Sequence, residues 1–275
     1  ECKVIMQDDS SYPKNGLHQG GMVQLKNGEW WFIIMQDRGA IGRVPYLVPV
    51  KWKDGWPILG VNGKDAVTYP KPVVGKTCKI KAPATTDEFN RKCLGLQWQW
   101  NHNPDNTKWS LTERPGYMRL KASLATDLKN ARNTLTQRIQ GPSSEGTVEM
   151  DLSKLKDGNV AGFGVFQFPY AYVAVQQEGN TRNVVMCNNG KIVDIPIREL
   201  KQNRIWFRVR ATDKDFTARF YYSLDGKEFI QTGDVLNMDL GLYWTANRFA
   251  LLNFSTKEQG VGGMADFNWF RFHNK

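Results

Sequence analysis

Apolar residues fall at every second position through most of this chain, the period of a β-strand with one buried face. The alternation runs over Tyr117 to Ala122, Leu135 to Ile139, Thr147 to Leu152, Ala161 to Phe166, Ala171 to Gln176, Ile205 to Ala211 and Thr217 to Ser223. Pro115-Gly116, Asp157-Gly158, Asn189-Gly190 and Asp225-Gly226 interrupt it, and glycine at such places supplies the positive φ that tight turns require. No long stretch carries the 3.6-residue period of an amphipathic helix, so the pattern predicts an all-β fold. Short strands at regular spacing predict a two-sheet β-sandwich over residues 84–275.

Residues 1–68 hold a denser pattern. Val23-Gln24-Leu25 and Trp30 to Met35 flank Lys26-Asn27-Gly28-Glu29, an Asn-Gly hairpin signal. Tyr46 to Trp52 follows, then Lys53-Asp54-Gly55 and Trp56-Pro57-Ile58-Leu59. A short antiparallel meander of this size is one blade of a β-propeller, and one blade leaves unpaired edges and an apolar face that other blades must cover. Residues 69–83 are rich in proline and lack periodicity, which predicts an inter-domain linker.

Composition narrows the chemistry. Ten Trp, nine Tyr and fourteen Phe among 275 residues suit an all-β fold and sugar-binding surfaces. The net charge of +10 is scattered along strands and turns, without the basic block or helix expected for nucleic acid. It predicts a solvated basic surface, with attraction to acidic polysaccharide as a secondary consequence. No apolar run is long enough to span a bilayer. Cys2, Cys78, Cys93 and Cys187 lack metal-site spacing, so no zinc centre is expected, and any disulfide pairing stays open. The chain opens on Glu1 with neither an initiator Met nor a signal peptide, which reads as a processed protein or a piece of a longer one.

Both halves resemble glycoside hydrolase family 43, whose members remove xylose and arabinose units with a five-bladed propeller. HQGG from His18, WWF from Trp30, Gly42-Arg43 and Asp54-Gly55-Trp56-Pro57 occur in the order of that family's last blade. Gln97 to Trp109, Glu113 to Leu120, Leu135 to Arg138, Ala161-Gly162-Phe163, Tyr222 to Lys227 and Ala265 to Phe272 are similar to its concanavalin-like C-terminal sandwich. The resemblance implies inverting hydrolysis, in which an acid and a base about 6.5–9.5 Å apart admit a water. It places those carboxylates in earlier blades that this sequence lacks. Glu1, Asp8 and Asp9 do not match their motifs. The expectation is therefore a glycosidase whose active-site wall lies here, this chain alone being inactive. A stand-alone carbohydrate-binding sandwich is the alternative, and a brace for a partner enzyme a third.

The same resemblance implies roles for individual residues. His18 would face the propeller axis near a calcium ion or its waters, and Arg43 would donate to sugar hydroxyls. The structural alternatives are a histidine fixed before a turn and an arginine paired with a carboxylate at a strand end. Phe168, in the aromatic loop with Phe166, Pro169 and Tyr170, would reach the pocket rim or else form a local cluster. Asp87 and Asp266 would share a structural cation if the terminal strands lie side by side. Trp30, Trp31, Trp52 and Trp56 are expected in packing, Trp98, Trp100 and Trp109 on one buried sheet face, and His102 and His273 in structural positions. Partners would be a xylan or arabinoxylan oligosaccharide and the remaining blades, with no nucleic acid and no membrane. Family habit implies a secreted, periplasmic or cell-surface location.

Overall fold

Four strands, β1 (Leu17–Gln24), β2 (Trp30–Asp37), β3 (Arg43–Lys53) and β4 (Trp56–Leu59), pair in sequence order as an antiparallel meander. The computed structural model describes residues 3–6, 17–64, 69–76, 78–239 and 245–274. Contacts divide the chain into two units, Glu1–Ala82 and Pro83–Lys275. Among the described residues no helix is long and apolar enough to cross a membrane.

The meander is apolar on both faces. Trp30, Phe32 and Ile34 pair with Val50, Val48 and Tyr46, and this face packs against Ile5, Met6 and Tyr69. The alternate positions put Val23, Ile33 and Leu47 on the other face, where all three are exposed. Asp54 and Gly55, at φ 53° and 79°, form the left-handed pair that reverses the chain between β3 and β4. Of the four tryptophans expected in packing, Trp31 is buried and Trp30 packs on the cluster. Trp52 meets Trp30 edge-on at 5.5 Å but is 48% exposed.

The second unit contains β5 (Gln99–Trp100), β6 (Trp109–Ser110), β7 (Met118–Lys121), β8 (Ser123–Leu124), β9 (Leu135–Arg138), β10 (Ser143–Lys154) and β11 (Asn159–Phe166). It continues with β12 (Ala171–Glu178), β13 (Thr181–Asn188), β14 (Lys191–Ile197), β15 (Arg204–Thr212), β16 (Thr217–Ser223), β17 (Ile230–Asn237), β18 (Arg248–Ser255) and β19 (Met264–Asn274). One sheet has the order β17-β16-β15-β10-β19-β7-β6, the other β14-β13-β12-β11-β18-β9-β5, with β8 beside β18. The sheets meet through inward-facing aromatics: Phe163 and Phe249 of one lie 5.9 and 6.0 Å from Phe270 of the other. Gly146 leaves room for them, since a Cβ there would come within 3.0 Å of the Phe163 and Phe270 rings.

The chain from β8 onward crosses the outer face of the eight-stranded sheet. There Leu128 and Ala131 cover Phe166, Tyr172, Ala250 and Leu252 in a second apolar cluster. Trp100 and Trp109 do not share a sheet face as the alternation suggested. They stand on edge strands of different sheets and touch at 5.2 Å, because alternation fixes which side a residue faces but not which sheet it joins.

Candidate functional site

A register shift between His18 and Gly20 gives the first sheet its polar corner. Gln19 takes φ 51°, and Gly20 presses so closely on β2 that a Cβ would clash with the Ile33 carbonyl. At the far end of β2 a single 3-10 turn, Gly39–Ile41, returns the chain so that Asp37 and Arg43 become register partners. The two irregularities bring His18, Asp37 and Arg43 together.

Asp37 is the hub. His18 Nε2 donates to its Oδ2 at 3.0 Å and Arg43 Nε to its Oδ1 at 2.9 Å, while Arg43 Nη1 donates to Gln19 Oε1 at 3.3 Å. The Asp37 side chain is 10% exposed, against 35% for His18 and 29% for Arg43. Burial pushes the Asp37 carboxyl up, but the hydrogen bonds from His18 and Arg43 and their charges prevail and hold it below its ordinary range. A buried carboxylate thus fixes the ring orientation of His18 and the plane of the Arg43 guanidinium from behind. The carboxylate pairing raised as the structural alternative for Arg43 is present. It engages Nε and orients the rest of the guanidinium fork.

Calcium takes six to eight oxygen ligands. This corner offers an imidazole and one carboxylate already accepting from two donors. Among the described residues there is no group of three His, Cys, Asp or Glu placed for a metal. Among the described residues this corner supplies no calcium cage, and His18 is the side chain that would meet a metal-bound water.

The two carboxylates expected to share a cation in the sandwich do not do so. Asp87 pairs with Phe270, four positions beyond Asp266 on β19 and so about 13 Å along the strand. Asp87 accepts from Phe89 N and Trp98 Nε1, each at 2.8 Å. Asp266 accepts both Nε and Nη2 of Arg119, at 2.7 and 2.8 Å, and Arg114 Nη1 at 2.8 Å. Each carboxylate is engaged by its own set of donors.

Phe168 is half-buried beside Phe166, at 6.0 Å, with the Lys129 ammonium 5.0 Å from its ring centroid. Burial pushes the neighbouring Tyr170 hydroxyl up to about 12. His102 donates to the Lys129 carbonyl at 2.7 Å, and His273 is exposed on β19. Cys78 and Cys93 are free and exposed, and Cys187 is free and buried. Glu1, Cys2, Asp8 and Asp9 lie outside the described residues. Sequence reasoning missed Asp37, whose only signal was an acidic residue ending an apolar strand just before Gly42-Arg43.

Residues 86–273 match the family model of the β-xylosidase C-terminal concanavalin A-like domain. A β-xylosidase of Formosa agariphila is 34% identical over 99% of this chain and 50% of its own length. Among solved structures, a bifunctional GH43-CE protein of Bacteroides eggerthii superposes with a TM-score of 0.87 at 41% identity, covering 98% of this chain and 35% of that one. An engineered GH43 hydrolase with endo-xylanase and exo-arabinofuranosidase activity gives 0.84 at 31% identity, covering 96% and 55%. The chain spans about half the length of the curated relatives it matches.

Proposed function

We propose, since this chain belongs to glycoside hydrolase family 43 through its concanavalin A-like C-terminal domain, that it forms one wall of the sugar site of a xylan- or arabinoxylan-acting glycosidase. The observation that carries this reading is the buried Asp37 carboxylate holding His18 and Arg43 from behind. Arg43 donates hydrogen bonds from its planar fork to hydroxyls of the xylose or arabinofuranose unit, and Asp37 keeps that fork in register. The acid and base of the inverting reaction come from preceding blades. Exposed Val23, Ile33 and Leu47 support a neighbouring blade as the cover of the open face. A polymeric substrate places the enzyme outside the cell or in the periplasm.

In the protein carrying the preceding blades, Arg43→Ala lowers kcat/KM on an aryl xyloside or arabinofuranoside by at least about tenfold, on the order of 1.4 kcal/mol. Unchanged kinetics would remove Arg43 from the sugar site. His18 belongs with a water on calcium whose direct ligands come from those blades. His18→Ala is expected to lower bound calcium, measured by elemental analysis after dialysis, and an unchanged content would leave His18 a purely structural partner of Asp37.

A further inference from the structure

The outer face of the eight-stranded sheet ends in a row of register partners on β11, β18 and β9: Phe166, Arg248 and Arg138. Arg248 lies partly buried with its guanidinium carbon 5.4 Å from the Phe166 ring centroid. Its hydrogen bonds go to neutral oxygens, Nη1 to Thr136 Oγ1 at 3.4 Å and Nη2 to Asn101 Oδ1 at 2.9 Å. Its Nε is buried with no hydrogen-bond partner. A guanidinium carries five N–H donors, so most of this fork is unmatched.

Lys129 reaches the same aromatic cluster from the covering segment, beside Phe168, whose ring lies 6.0 Å from that of Phe166. Its ammonium lies 5.0 Å from the Phe168 ring centroid and 5.9 Å from that of Tyr170. The bond from His102 to the Lys129 carbonyl ties this segment to the residue next to Asn101. Among the described residues no carboxylate forms an ion pair with Arg248 or Lys129. The acid nearest in sequence, Asp127, accepts from the Asn130 backbone and side chain instead. Burial pushes the Arg248 guanidinium below its ordinary range, as expected of a cation without a matching anion. Cationic donors beside aromatic faces match a ligand with one carboxylate and one apolar ring face.

We infer that this end of the sheet binds an acidic sugar, its carboxylate held by Arg248 and Lys129 and its ring set against Phe168. The choice of a saccharide over other carboxylates rests on the glycosidase reading above. Arg43 of the first unit is the contact proposed above for the neutral reacting sugar, and this subsite would add selection for uronic acid branches on the polymer.

The test titrates this chain with D-glucuronate and with its neutral methyl ester at low ionic strength, followed by amide chemical shifts. Glucuronate is expected to bind at least about tenfold tighter than the ester, and less tightly as salt rises. Arg248→Gln should weaken glucuronate binding by about tenfold and Lys129→Gln by about threefold. Lys129 is exposed, so its loss leaves the fold intact and separates a lost contact from unfolding. No glucuronate binding, equal affinity for acid and ester, or wild-type affinity in both variants overturns the inference. Turnover of a neutral aryl xyloside tests the glycosidase reading separately and is unaffected by Arg248→Gln.

Discussion

Asp266→Ala is expected to destabilise the sandwich by about 3–5 kcal/mol, the cost of stranding a buried charge. Asp266 is 3% exposed and accepts three hydrogen bonds from Arg119 and Arg114. Arg119, at 7% exposure, retains Glu113 only at 3.5 Å once Asp266 is removed. Arg114 keeps Asp151 at 2.8 Å, so the stranded charge is chiefly that of Arg119. A unit of this size loses about 2–4 °C per kcal/mol, which puts the fall in its Tm at about 6–20 °C by calorimetry. A drop worth under about 1 kcal/mol would class the pair with solvated surface bridges. Replacing both partners, Arg119→Met with Asp266→Leu, should recover much of the loss, because desolvation then disappears with the charges.

Phe270→Ala is expected to cost about as much, about 3–5 kcal/mol, by a different route. Phe270 is fully buried and touches Trp98 edge-on at 5.1 Å, besides Phe163 and Phe249 of the opposite sheet. Truncation leaves a cavity where the two sheets meet, and Gly146 beneath the ring has no side chain with which to fill it. Phe270→Leu should retain more than half of the stability, since most of the volume survives. An alanine variant within about 1 kcal/mol of wild type in urea unfolding would mean that the sheets collapse onto the gap. The two sites are about 13 Å apart along β19, so Asp266→Ala and Phe270→Ala should add to within about 0.5 kcal/mol.

Both predictions use side chains whose partners are remote in sequence, and this separates what the chain discloses from what folding decides. Trp56–Leu59 and Thr217–Ser223 are strands with the bounds that alternation gave them. Asn189 and Gly190, at φ 48° and 86°, turn the chain as the dipeptide requires. The strands Thr181–Asn188, Lys191–Ile197, Ile230–Asn237 and Arg248–Ser255 are not among those the alternation marks. Lys191–Ile197 and Ile230–Asn237 are edge strands that mix exposed and buried residues, and a local period is weakest where burial is incomplete.

The all-β character, the hairpins and the ordered motifs that tie the chain to its family are written locally, because each depends on residues within a few positions of one another. Pairing across the chain was decided only in three dimensions. Asp37 meets a histidine 19 residues earlier, Arg119 an aspartate 147 residues later, and β10 lies between β15 and β19. Such contacts form when buried charges and sheet edges find the partners that satisfy them, and no local period records which partner that is.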